Sequence, residues 1–229
     1  MRVDENKFFR QAALRICGNL EIEKAMSSCL RFLRQAIPAD KMFLQRYDDG
    51  LGAMRTIAIA TASECSKLDV LTSLSAEAKA SVEQAKQMAS SGVVIFEDPD
   101  KYAISREMLR FHKIPATSLM VMHLETEDET LGNLVLITEG KERYSADHAR
   151  LLSLMKEPFV VAMSNTLEHR EVVKLKDMLA DDNRYLHREL RRLSGNEIIG
   201  ANFGLKNVMG MVRQVAALGS FTADVIAPG

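Results

Sequence analysis

Few residues in this chain are spaced for chemistry, and each such set also has a plain structural reading. A phosphate-binding loop needs backbone N–H groups converging at a helix N-terminus and a Lys that reaches the terminal phosphates. Gly140-Lys141 is the only Gly-Lys pair, yet Glu142 follows it and Val135 stands where the first glycine belongs, so it reads as a turn leaving a hairpin. Cys17, Cys29 and Cys65 are too widely separated for a CxxC knuckle, and their odd number leaves at least one thiol unpaired. Cys65 follows a strand candidate and is the one thiol placed to act as a redox group or metal ligand, but no basic cluster flanks it to lower its pKa. His112 and His123 have Pro115 between them and no flanking set of acids or cysteines, so they read as structural histidines and no metal site is expected. Arg184, His187, Arg188, Arg191 and Arg192 form a basic run; Leu186, Leu190 and Leu193 make it the solvated face of an amphipathic helix instead of a DNA-reading element.

The composition narrows the classes further. With 229 residues, 47% hydrophobic and 27% charged, the chain has length for one packed domain and a substantial appendage. Thirty Lys and Arg against 31 Asp and Glu leave a formal charge of −1, which removes the electrostatic case for a nucleic-acid or anionic-membrane surface. Thirteen Met and no Trp point to a core filled by flexible apolar side chains. No apolar run has the length of a signal peptide or a membrane span, and the thiol usage fits a reducing compartment, so a cytoplasmic location is expected.

Hydrophobic spacing supplies the elements. Asp4 to Cys17 and Glu21 to Ile37 carry helical rhythm, the second ended by Pro38. Lys41 to Tyr47 and Ala53 to Ala62 alternate around Asp48-Asp49-Gly50, a hairpin. Ser75 caps a helix over Glu77 to Ala89; a short strand Val93 to Phe96, a polar loop around Pro99 and a helix near Ser105 to Phe111 follow. Ser118 to Leu124 and Leu131 to Ile137 form a second hairpin, covered on both faces. A long helix begins after Ser145, kinked at Pro158, and runs on with Val172, Leu179, Leu186 and Leu193 at heptad spacing and Leu175 beside them, the seam of a short coiled coil interrupted by Asp182 and Asn183. A last helix spans Leu205 to Ala216.

Two stretches resemble known families. The order of elements, with Ser118-Leu119-Met120-Val121, Leu131-Gly132-Asn133-Leu134-Val135-Leu136 and Tyr144-Ser145-Ala146-Asp147, resembles the GAF domain, a small-molecule sensory module. That resemblance implies an α/β (α+β) fold, an antiparallel sheet flanked by helices with a long C-terminal signalling helix. The run Asp182 to Leu190, then Glu197-Ile198-Ile199-Gly200 and the helix from Leu205, resembles the opening of the AAA+ ATPase module of sigma-54-dependent transcriptional activators. The chain contains no G-x-x-x-x-G-K-[ST] loop, so ATP hydrolysis is not expected of it.

These resemblances imply a GAF sensory domain over 1–167, a linker or coiled-coil helix over 168–194, and the truncated start of an AAA+ module over 195–229. The expected function is sensing of a small ligand or partner, with control of an AAA+ output that acts on sigma-54 RNA polymerase. A homodimer is expected, paired through Val172, Leu175, Leu179, Leu186 and Leu193, with no direct nucleic-acid contact and no membrane. The pocket is expected between the sheet and the segment Ser91 to Phe111, with Cys65, Tyr102, Arg106 and His112 as candidate ligand contacts; no catalytic residue is assigned and the cofactor or ligand stays open. Two alternatives stand: a GAF module serving another output, and a thiol reductase of the kind that resembles GAF domains.

Overall fold

The computed structural model describes residues 4–19, 21–89, 92–115, 117–127, 129–193 and 204–222. The chain divides into a compact unit, Met1–Arg170, and a second unit, Glu171–Gly229.

The first unit is built on a six-stranded antiparallel sheet in the order β3-β2-β1-β6-β5-β4. Its strands are β1 (Lys41–Asp48), β2 (Ala53–Thr61), β3 (Cys65–Ser73), β4 (Val93–Phe96), β5 (Thr117–Glu125) and β6 (Thr130–Glu139). Alternation sorts the side chains to two faces. Met42 and Leu44 of β1, Met120 and Met122 of β5, and Leu134 and Leu136 of β6 join one buried cluster with α1 (Glu5–Cys17), α2 (Ile22–Leu33), α5 (Ala146–Ser153) and the start of α6 (Lys156–Leu193). Phe43, Leu119, Val121, Val135 and Ile137 face the other way, toward α4 (Ala103–Phe111). On that side Met54 of β2 packs with Leu74, Ala78 and Val82 around α3 (Ala76–Ala89).

Local chemistry explains the helix starts. Asp4 accepts the Lys7 N–H at the head of α1, Ser75 Oγ accepts the Ala78 N–H at α3, and Ser145 forms a reciprocal box with His148 at α5. Three boundaries differ from the sequence reading. Helix α2 stops at Leu33, and Ile37 N–H reaches back to the Leu33 carbonyl at 2.7 Å in a closing turn before Pro38. The expected single kinked helix is two helices: α5 ends at Ser153, α6 starts at Lys156, and Pro158 sits in the first turn of α6, where its missing N–H costs nothing. The third is β3, an added strand where the sequence reading placed none. Its residues are mostly exposed or half-buried, as suits an edge, and Lys67 and Asp69 on it discourage pairing with other chains.

Strand β2 carries a bulge that decides how the sheet meets α6. Leu44 pairs with Ala58 and Gln45 with Thr56, so Ile57 is the extra residue; the β2–β3 register also slips between Thr56 and Ala58. Bulges leave carbonyls without ladder partners. Arg170 of α6 answers two of them, donating from Nη2 to the Ile57 carbonyl at 3.3 Å and to the Leu68 carbonyl at 3.1 Å.

In the second unit, α6 continues to Leu193 and α7 spans Lys206–Thr222. Val172, Leu175, Leu179 and Leu186 are exposed. Leu193 ends α6, and its side chain falls outside the described residues, as do residues 194–203, where the Ile-Ile-Gly segment lies.

Candidate functional site

The face of the sheet turned to α4 borders a partly open cavity of about 360 Å³, within the range of small-molecule sites. Its walls are apolar: Phe43, Phe96, Leu119, Val121, Val135 and Ile137. Besides Ser105 and Thr130, two groups of polar side chains bear on that wall.

The first is a hydrogen-bonded chain. Gln45 Nε2 donates to Thr56 Oγ1 at 3.4 Å, and Thr56 Oγ1 lies 3.4 Å from His112 Nε2. The Thr56 hydroxyl, with one hydrogen to donate and two lone pairs, links the Gln45 amide to the His112 ring. The His112 ring also packs on Phe43, centroids 4.7 Å apart, and edge-on to Phe111. Burial, seconded by nearby Lys41, holds the His112 pKa below the ordinary value.

The second is a cross-strand pair. His123 of β5 stands opposite Asn133 of β6 in register, and both line the cavity. His123 is only 7% exposed. Burial lowers its pKa too, with Glu125 opposing and Lys156 reinforcing. Asn133 Oδ1 is buried and has no hydrogen-bond partner. Next to Asn133 on β6 comes Gly132 (φ +154°), where an added Cβ would sit 2.3 Å from the Gln45 carbonyl oxygen. Only glycine permits that close approach.

Among the described residues, Arg46, Asp49 and Glu129 also line the cavity. Arg46 pairs with Glu129 at 3.8 Å. Among the described residues no lysine lines the cavity, and no group of three or more His, Cys, Asp and Glu could hold a metal ion.

Of the four contacts expected from sequence, His112 lines this cavity and the others lie apart from it. Tyr102 packs edge-on to Phe96, centroids 4.9 Å apart, behind the cavity wall. Arg106 ties α4 down, donating to Glu77 at 3.0 Å and to the Asp100 carbonyl at 2.8 Å. Cys65 opens β3 and packs against the cluster on the opposite face of the sheet. Cys29 is buried there too, its thiol pushed up to about 12 by burial, and Cys17 is exposed. The sequence reading missed Gln45, Thr56 and Asn133 and treated His123 as structural. The available signal was alternation: each is a polar residue at a position where its strand otherwise turns apolar side chains to α4.

The comparisons with known proteins bear on the fold. No family model matches the chain. Over 101 residues, 43% of the chain, it is 29% identical to the formate hydrogenlyase transcriptional activator of Escherichia coli and to that of Salmonella typhimurium. That stretch takes in 15% of each relative's length. Among solved structures, the phycocyanobilin-bound GAF domain of a cyanobacterial phytochrome matches with a TM-score of 0.51 at 17% identity, covering 74% of this chain and 99% of that one. The GAF domain of an Acinetobacter phosphoenolpyruvate-protein phosphotransferase gives 0.51 at 12% identity, covering 73% and 97%. No described helix is long and apolar enough to cross a membrane. The chain has a GAF fold and is homologous, over 43% of its length, to a transcriptional activator.

Proposed function

We propose that the chain senses a small ligand in the cavity between the sheet and α4 and passes its occupancy along α6 to the output of a sigma-54-dependent activator. The observation that carries this reading is the cavity itself: a partly open, mostly apolar space with an unsatisfied polar atom, in a GAF fold whose opposite face packs on α6. In the intact protein the output is an AAA+ ATPase acting on sigma-54 RNA polymerase, and a bound ligand biases one of two arrangements of the signalling helix. The domain limits 1–167, 168–194 and 195–229 belong to this reading.

The exposed apolar stripe at Val172, Leu175, Leu179 and Leu186 supports a homodimer, with Leu193 continuing the same heptad. Placement of the thiols favours a sensor over a thiol reductase, since no cysteine is among the residues lining the cavity. Two measurements test the proposal. Native mass spectrometry of the purified chain is expected to show a small molecule retained by the wild type and lost from Val135→Trp, which fills the cavity; wild-type protein that never carries or binds any small molecule refutes it. Replacing Leu179 and Leu186 together by Asp is expected to give a monomer by light scattering with an unchanged fold, and a wild type that is already monomeric refutes the seam.

A further inference from the structure

We infer that Arg170 couples the cavity to α6: it holds the helix through two carbonyls at the β2 bulge, and a ligand that displaces Thr56, the neighbouring residue in that bulge, alters its grip. This rests on the ligand-sensing reading above and names the part of the fold that reports occupancy.

The bulge brings the two faces of the sheet to consecutive residues. Thr56, fully buried, bonds Gln45 and His112, and both of those line the cavity. Ile57, also fully buried, packs into the cluster beneath the helices on the opposite face. One planar peptide joins the two, so a tilt at Thr56 is carried into Ile57. Ile57 has no register partner in β1 or in β3, and Leu68 and Asp69 have none in β2, so ladder pairing does not pin this stretch. The Ile57 carbonyl is held by Arg170 Nη2 at 3.3 Å, and the same nitrogen donates to the Leu68 carbonyl at 3.1 Å. Both bonds are longer than the usual value of about 2.9–3.0 Å. A small displacement of the bulge therefore breaks the longer one, and the planar, fixed donors of a guanidinium register the direction of a carbonyl as well as its distance.

Arg170 also has a second partner within reach. Its Nη1 lies 4.0 Å from Asp69 Oδ1, which Arg55 Nη1 holds at 2.6 Å, and Arg55 in turn stands 3.8 Å from Asp48 on β1. A guanidinium released from the carbonyls closes on Asp69, and Arg55 then has Asp48 to take up. The Asp69 side chain is 64% exposed, which keeps its ion pairs weak. The two arrangements thus lie close enough in energy for a ligand's differential contacts to choose between them. Arg170 is the last residue of the compact unit, and α6 runs on to Leu193, so the grip acts at the point where the helix leaves the domain.

Backbone amide hydrogen exchange, read by mass spectrometry on the full chain, tests this without a ligand. Val135→Trp fills the cavity and presses on its wall. In the wild-type background it is expected to quicken exchange in α6 between Phe159 and Arg170 by about fivefold or more, the scale of one lost hydrogen bond to a charged group. In Arg170→Met, and in Thr56→Val, which cuts the path at its other end, the same filling is expected to change those amides by less than about twofold. Arg170→Lys, which keeps donors at this position, is expected to restore part of the response. A residue that merely anchors the helix gives a different pattern: Arg170→Met quickens exchange by itself, and filling the cavity then multiplies the rate by the same factor as in the wild type. That pattern overturns the coupling and leaves the sensing cavity standing. If Arg170→Met fails to fold, the comparison of Val135→Trp with and without Thr56→Val decides. Filling that leaves α6 unchanged in the wild-type background overturns the coupling; together with no small molecule retained on the native protein, it overturns the sensing reading as well.

Discussion

Gly132→Ala gives the sharpest test of how this sheet is assembled. The new methyl carbon would lie 2.3 Å from the Gln45 carbonyl oxygen and 3.2 Å from the Met163 methyl, at a φ of +154° that side chains rarely adopt. Met163 can swing aside, but the Gln45 oxygen belongs to the backbone of β1 and cannot move without opening the β1–β6 pairing at Gln45 and Asn133. Overpacking against backbone costs about 1–3 kcal/mol, and an unfavourable φ adds about 1–3 kcal/mol. A destabilisation of roughly 3 kcal/mol follows, which for a domain of this size lowers Tm by about 6–12 °C. Urea and thermal unfolding measure it, with Gly50→Ala as the control: there a Cβ would meet only the Asp48 side chain, at 3.6 Å. A Gly132→Ala protein within about 0.5 kcal/mol of the wild type, the range of an ordinary surface change, would refute the close approach.

Three further outcomes are expected. Both His112 and His123 have folded pKa values below the ordinary 6.5 because they are buried, so between that value and their folded ones the unfolded chain binds more protons. Stability is full above about pH 7 and falls as the pH drops through 6.5, by up to about 1.4 kcal/mol per pH unit per histidine; urea melts from pH 7.5 to 5.5 should show this, with a shallower fall in His123→Phe. Phe159→Ala, which empties a fully buried site under the sheet, is expected to cost about 3–5 kcal/mol, whereas Val161→Ala, 51% exposed on the same helix, should be nearly neutral in the same melts. Arg170→Met removes the donors to the Ile57 and Leu68 carbonyls; each unsatisfied carbonyl costs about 1–3 kcal/mol, and amide hydrogen exchange should quicken first in β2 and β3.

Much of the sheet was legible because its central strands, β1, β5 and β6, are long, apolar and alternating. Helix caps were legible at Ser75 and Ser145, where a Ser precedes a periodic run, whereas Asp4, which caps α1, was read only as the start of its helix. β3 was not, since an edge strand exposes its side chains and so loses the contrast between faces that marks a strand in sequence. That omission misplaced Cys65, which looks like a loop thiol beside a pocket only if no strand begins there. Of the candidate contacts His112, just past the predicted helix, lines the cavity, while Gln45, Thr56 and Asn133 were hidden. Each is an ordinary polar residue whose meaning comes from a neighbour on another strand, and that pairing is not written locally in the chain.

The bulge at Ile57 has a consequence for which changes of length this domain can tolerate. Before it, even-numbered residues of β2 face α4, Met54 and Thr56 among them; after it the count is inverted, with Ile59 on that side and Ala58 and Ala60 under α2. The strand is in effect two words with opposite parity joined by one extra letter. Deleting that letter, or adding another, does not harm one position: it exchanges inside for outside along everything on one side of the join, either taking Thr56 from its hydrogen-bonded chain or driving Ile59 beneath the helices. A drifting lineage can therefore trade side chains along β2 far more freely than it can change the number of residues in it, and Arg170, bonded to the carbonyl of the odd letter, is the residue that keeps count.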